Sequence, residues 1–229
     1  CFFCIETFRS YSKNLFINAN ENGVWFRNPF SQEKIYITPS LDMQLQFEIG
    51  SEIAMCLDSM PLIEESKEKI AEAVRKTTLW AEKCKEEHNK LQKNIPKEKR
   101  QLLFGISQGG IHKDLREKSV KEILDIGFDG YAFGGWPAED GKFLNDILKY
   151  TAELMPDDKL KYAMGVGKPE DIVSCVKMGY DLFDCVIPTR EARNNRLYSF
   201  KSNLFGFGLK KLSENNSFYE YVRVRNLEN

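Results

Sequence analysis

The sequence predicts an α/β protein built on part of a (β/α)8 TIM-type barrel, with a β-hairpin inserted near its start. Three observations carry this. Short runs that are apolar throughout alternate with amphipathic helical stretches, as expected of parallel strands covered on both faces and joined by right-handed crossovers. Each run ends in a polar residue or a glycine: Asp58, Gln108, Gly134–Gly135, Gly165 and Asp184. In a barrel these ends gather on one rim, where such folds place their chemistry; an open sheet would spread them along a line. The chain's 229 residues also fall a little short of the roughly 250 of a whole barrel.

The elements follow in order. Residues 8–40 contain the turn signal Asn22–Gly23, flanked by alternation around Val24–Phe26 and Ile35–Ile37, which reads as the hairpin. Residues 41–200 hold the barrel units. Their strands are "EIAMCLD", "LLFGISQGG", "DGYAFGG", "YAMGVG" and "DLFDCVIP", the last reaching Pro188. From Glu64 to about Leu91 a helix places Ile70, Val74, Thr78, Ala81, Cys84, His88 and Leu91 at three- and four-residue spacing. His88 is one more side chain of that stripe. "HKDLREKSVKEILDIG" is a second helix, with Leu115, Val120, Ile123, Leu124 and Ile126 inward and Gly127 as its stop. "NDILKYTAELMP" is a third. In "KPEDIVSCVKMG", Pro169 opens a fourth, Glu170 and Asp171 suit its positive end, and Gly179 closes it. Residues 201–229 form a C-terminal region with one alternating strand, "FYEYVRVRN".

Apolar residues make up 42% and charged residues 29%, with a net charge of −1. No global basic field recruits a polyanion, so any such binding must come from a local patch. The six cysteines lie scattered through apolar segments and read as reduced thiols of a cytoplasmic protein. Cys1 and Cys4 form one C-x-x-C pair; with no second pair and only His88 and His112, no zinc site is expected. No run is long enough to span a membrane, and "CFFCIETF" lacks the basic leader of a signal peptide.

Asp58 and Asp184 each end an otherwise apolar strand. An unpaired, dry carboxylate there would cost several kcal/mol, so each should face a polar cavity or a partner. A turn aspartate is the plain reading of either alone; two on one rim suggest a nucleophile and a proton shuttle. Gln108, before Gly109–Gly110, offers a donor and an acceptor in one plane, suited to a planar heterocycle. Gly134 and Gly135 offer bare amides beside Trp136. Met164, followed by Gly165, can lie flat on a ring. Lys168 precedes a helix start and could contact phosphate, or simply be solvated. Arg190, Arg193 and Arg196 form a basic cluster beyond Pro188.

Four stretches, "FGISQGG", "DIGFDGYAFGGW", "YAMGVGKPEDIV" and "GYDLFDCVIPTREARNNRLY", together resemble the tRNA-guanine transglycosylase family, and "GSEIAMCLDSMP" resembles its strand carrying the second active-site aspartate. The similarity runs from about Phe8 to Asn226. The resemblance implies a pentosyltransferase that exchanges guanine at the wobble position of tRNA for a 7-deazaguanine without ATP. It implies Asp184 as the nucleophile on ribose C1′ and Asp58 as the group handling the bases and their protons. Gln108, Gly134, Gly135, Met164 and Gly165 would line the base pocket, Gly135 through its backbone, and Lys168, Arg190 and Arg193 would hold the anticodon loop. A homodimer is compatible with it.

There are departures from the family pattern. The family carries a D-S-G-G-F-Q stretch that helps recognise the base; the matching place, about "CFFCIETF", has none of that chemistry. Its zinc subdomain would follow "YVRVRNLEN", where this sequence stops, so no metal or other cofactor is assigned and the chain reads as incomplete at both ends. Two other readings stand beside exchange on tRNA: a non-catalytic tRNA-binding partner or inactive fragment, and a related enzyme acting on DNA. Trp136–Pro137–Ala138 inclines the incoming base toward 7-aminomethyl-7-deazaguanine, with queuine left open.

Overall fold

The computed structural model describes residues 15–201 and 218–223. Cys1, Cys4, the start of the expected hairpin and most of the C-terminal region lie outside the described residues.

The N-terminal element has three strands, one more than a hairpin. Strands β1 (Phe16–Asn20), β2 (Gly23–Arg27) and β3 (Lys34–Ile37) pair antiparallel in that order. The β1–β2 turn is Glu21–Asn22, where Asn20 Oδ1 accepts from Asn22 N at 2.8 Å. This local side-chain bond replaces the ladder and turns the chain.

Helix α1 (Pro39–Ile49) follows at once and was not foreseen. Its apolar residues Leu41, Met43, Leu45, Phe47 and Ile49 alternate with polar ones, as in a strand. The ends decide the matter. Thr38 Oγ1 accepts from Leu41 N, Pro39 sits in the first turn, and Gly50 closes the helix in the left-handed conformation. A period-two pattern wound at 3.6 residues per turn misplaces side chains. Asp42 is buried beside Met43, while Ile49 is 67% exposed.

Five parallel strands then alternate with helices: β4 (Ile53–Met55), α2 (Lys67–Leu91), β5 (Leu102–Ser107), α3 (Lys113–Ile126), β6 (Gly130–Phe133), α4 (Asn145–Leu154), β9 (Leu160–Ala163), α5 (Pro169–Lys177) and β10 (Leu182–Phe183). A two-residue ladder, β7 (Ala138–Glu139) with β8 (Lys142–Phe143), interrupts the β6–α4 connection. The spatial order is β4-β5-β6-β9-β10, parallel throughout. Residues of both outer strands, Ile53 and Met55 at one edge and Leu182 and Phe183 at the other, line a single cavity of about 380 Å³. The sheet is therefore curled into a half-barrel, as the sequence predicted.

The alternation along each strand sorts the core into layers. Met55, Phe104, Ile106, Ala132 and Met164 pack on the concave side. On the convex side Ala54 and Leu103 meet Trp80, Ala81, Val120 and Ile123 of α2 and α3, and Val24 and Ile37 of the N-terminal sheet join that cluster. Phe133 and Ala163 meet Ile147, Leu148 and Cys175. On α2 it is Thr77, not Thr78, that is buried; Thr78 sits at the flank and donates to Glu122 Oε2 of α3 at 2.6 Å. His88 is a buried side chain of the same stripe, and desolvation holds its imidazole below the usual range.

The stretch expected to run as a strand to Pro188 breaks at Phe183. Residues Ile187–Arg193 form helix α6, with Pro188 in its first turn, and β11 (Arg196–Phe200) then pairs antiparallel with β12 (Tyr219–Arg223). Phe183 and Cys185 are half-buried, because β10 is an edge strand. Cys56, Cys84 and Cys175 are buried free thiols. Among the described residues no helix is long and apolar enough to cross a membrane.

Candidate active site

Because the five strands are parallel, their carboxyl ends share one rim. The marked residues sit just past those ends: Asp58 beyond β4, Gln108 beyond β5, Gly134 and Gly135 beyond β6, Met164 and Gly165 beyond β9, and Asp184 beyond β10.

Asp58 is held from two sides. Gln108 Nε2 donates to its Oδ2 at 2.6 Å, and the next residue is pinned where Thr77 Oγ1 of α2 accepts from Ser59 N at 3.0 Å. Burial raises the Asp58 carboxyl to about 6, although the Gln108 bond pulls the other way. Gln108 is itself fully buried, and its backbone N–H donates to Ser119 Oγ at 2.9 Å. Its side chain lies over Gly134, where a Cβ would come within 2.5 Å of Gln108 Nε2. Gln108 Oε1 and the indole Nε1 of Trp136 are both buried with no partner among the described residues. Both residues, with Gly135, Pro61, Leu62 and Ile63, line a narrow cavity of about 10 Å³. A buried donor and a buried acceptor left open beside one small cavity each call for a polar partner, and the space between them is that of about one water.

Asp184 is held differently. It is exposed, and its Oδ1 accepts from Gly165 N at 3.0 Å. Tyr162, two residues before Met164 on β9 and so on the same face, turns its phenol toward the Asp184 carboxylate closely enough to feel its charge. Burial, and then the Asp184 carboxylate beside it, raise the phenol. The next turn is equally fixed: a Cβ on Gly167 would collide with Cys185 Sγ, so only glycine lets the two loops meet.

Met164 is buried in the concave cluster, 8% exposed. Lys168 caps α5 and is exposed; Arg190 and Arg193 are exposed on α6, three residues apart and so on one side of it. Arg196, grouped with them by sequence, is instead paired with the buried Glu191, Nε to Oε2 at 2.6 Å and Nη2 to Oε1 at 3.1 Å. Among the described residues no three His, Cys, Asp or Glu side chains gather to hold a metal.

The sequence profile described as queuine tRNA-ribosyltransferase matches residues 5–222. The chain belongs to that family. It is 43% identical over 195 residues to the queuine tRNA-ribosyltransferase of Idiomarina loihiensis, covering 83% of this chain and 49% of that protein. It is 40% identical over 193 residues to the protein of that name from Shewanella sediminis, covering 84% and 50%, and 42% identical over 196 residues to that from Dechloromonas aromatica, covering 84% and 51%. The chain thus spans about half the length of the curated relatives it matches.

Within this family member several contributors to the site escaped the sequence reading. Tyr162 could have been found from its period-two relation to Met164. Arg116 shares the inward stripe of α3 with Val120 and Ile123, and a charge on such a stripe is itself a signal. It is fully buried, and burial pushes its guanidinium down to about 9. Thr77 and Ser119 act through backbone N–H groups far away in sequence, which no local pattern announces.

Proposed function

We propose that this chain exchanges guanine at the wobble position of tRNA for a 7-deazaguanine, by two successive displacements at ribose C1′. The carrying observation is the pair of rim carboxylates in unlike surroundings, one enclosed and bonded to Gln108, the other exposed and bonded to Gly165, with the Tyr162 phenol near it. The names of the relatives support the same reading.

In the first displacement an Asp184 oxygen bonds to C1′ as the bond from C1′ to the guanine nitrogen breaks, its electron pair leaving with the base. Asp58 supplies the departing base with a proton. In the second, Asp58 takes a proton from the arriving base, whose nitrogen attacks C1′, and the ester electrons return to Asp184. Two inversions retain the anomeric configuration. A carboxyl raised to about 6 changes charge readily near neutral pH, as a proton shuttle must. The adjacent carboxylate stabilises the positive charge that develops at C1′ before trapping it. Gln108, Gly134, Gly135, Met164 and Gly165 form the base pocket, and Lys168, Arg190 and Arg193 meet the anticodon-loop phosphates. The incoming base is a 7-deazaguanine, for which the Trp136–Pro137–Ala138 wording favours 7-aminomethyl-7-deazaguanine over queuine.

The test is labelled guanine offered with tRNA bearing a wobble guanosine, with tRNA lacking it, and with duplex DNA. Label entering only the first is expected. Label entering DNA would move the activity there; tRNA binding without exchange would leave a non-catalytic partner.

A further inference from the structure

Beneath the glycine turns lies a buried charge that the displacements do not use. Among the described residues the Arg116 guanidinium bonds no carboxylate. It donates instead to three backbone carbonyls: Nε to Gly110 O at 2.9 Å, and Nη1 to Ser107 O at 3.1 Å and to Gly134 O at 2.9 Å. Its Cζ lies 4.0 Å from the centre of the Phe133 ring. One side chain therefore ties the turn after β5 to the turn after β6.

The consequence falls on Gly135. No peptide bond described here is cis, so the N–H of the Gly134–Gly135 peptide points opposite to its carbonyl. With that carbonyl held by Arg116, the N–H is turned to the other side. Among the described residues it meets no protein acceptor. Gly135 lines the narrow cavity with Gln108 and Trp136. Its φ of +95° holds the position to glycine, and Arg116 Nη2 and Gln108 Oε1 are the atoms a Cβ there would touch, each at 3.4 Å. A carbonyl that accepts from a cation also polarises its own peptide, making the N–H a stronger donor.

We infer that Arg116 is a positioning residue for base selection: through the Gly134 carbonyl it aims and strengthens the Gly135 N–H as a donor to the ring carbonyl oxygen of the bound base. The inference rests on the base-exchange reading.

2-Aminopurine lacks that ring carbonyl and fluoresces. Titrating the chain with it, then displacing it with guanine, gives the ratio of the two affinities. The parent should favour guanine by about tenfold, the worth of one charge-assisted hydrogen bond. In Arg116→Lys, whose ammonium cannot span three carbonyls, the preference should fall to about twofold while 2-aminopurine affinity stays within about twofold of the parent. A merely structural role would weaken both bases alike and leave the ratio unchanged, and that result overturns the inference; so does a parent without preference. If Arg116→Lys does not fold, Phe133→Leu keeps the arginine but withdraws the ring beneath it, and the ratio should fall there too; an unchanged ratio overturns the inference equally. A parent that binds guanine with variants of unaltered preference leaves the base-exchange reading standing. A parent that binds neither base removes that reading, and this inference with it.

Discussion

Asp58 and Asp184 are the same side chain at opposite edges of one curled sheet, and their surroundings divide them. Asp58 follows β4, where α1, α2 and Gln108 enclose it and raise its carboxyl to about 6. Asp184 follows the two-residue edge strand β10, is exposed, and is steered by an N–H and a phenol. One acid is given a tuned proton affinity, the other a fixed direction and access. Environment, not residue type, assigns the labour in such pairs.

The comparison breaks most easily at Asp184. Asp184→Asn keeps the shape and should lower guanine exchange by on the order of 10⁴, with tRNA affinity within about twofold in a filter-binding titration. Exchange at the parent rate would show that the exposed acid is not the nucleophile. Asp58→Asn should cost roughly 10²–10³ in exchange rate and leave a different trace. Asp58 must carry a proton for the first displacement and lack one for the second, so the parent's rate should turn with pH at about 6, and the variant should lose that limb. Because the Gln108 bond lowers the Asp58 carboxyl, Gln108→Leu should carry the limb to higher pH; a pH–rate profile reads both. Arg193→Ala, on the exposed side, should weaken tRNA binding several-fold and reduce the slope of log affinity against log salt by about one. An unchanged slope would make it solvated surface.

The smallest effect on function lies beneath the enclosed side. Burial, aided by nearby Asp58, raises the Asp42 carboxyl to about 7, against the Gln46 bond. A carboxyl raised on folding contributes its stability at low pH and loses it as pH climbs from about 4 through about 7. Asp42→Asn should therefore be more stable than the parent at pH 8, by on the order of 2 kcal/mol, and no more stable at pH 4. Urea melts at the two pH values decide it; equal gains at both would mean that charge is not the cause.

Much of this was legible in the sequence for one reason. A parallel strand buried on both faces is apolar to its end, so the first polar or glycine residue marks the rim; Asp58, Gln108, Gly134 and Asp184 announced themselves that way. The order of elements gave the half-barrel similarly. Helix α1 was not legible because its apolar alternation has the period of a strand and only Thr38, Pro39 and Gly50 argue otherwise. Tyr162 and Arg116 were missed because each works through a partner distant in sequence, Asp184 for one and the carbonyls of Ser107 and Gly134 for the other. The break at Phe183 was hidden because Val186 and Ile187 continue the apolar run, while the helix they enter is set by its own end.

The Gln46 side chain has a consequence beyond chemistry. Its amide accepts from Met55 N at 2.9 Å and donates to Met55 O at 2.8 Å, the two bonds a neighbouring strand would make at the margin of β4 that no other strand pairs among the described residues. It acts as a plug one peptide group long, seated where an intruding chain would begin to zip. Any segment adding to that margin must first evict it, leaving Asp42 without the amide that bonds it at 3.0 Å. Self-association into ordered aggregates thus meets a toll at its first step, collected by a buried acid.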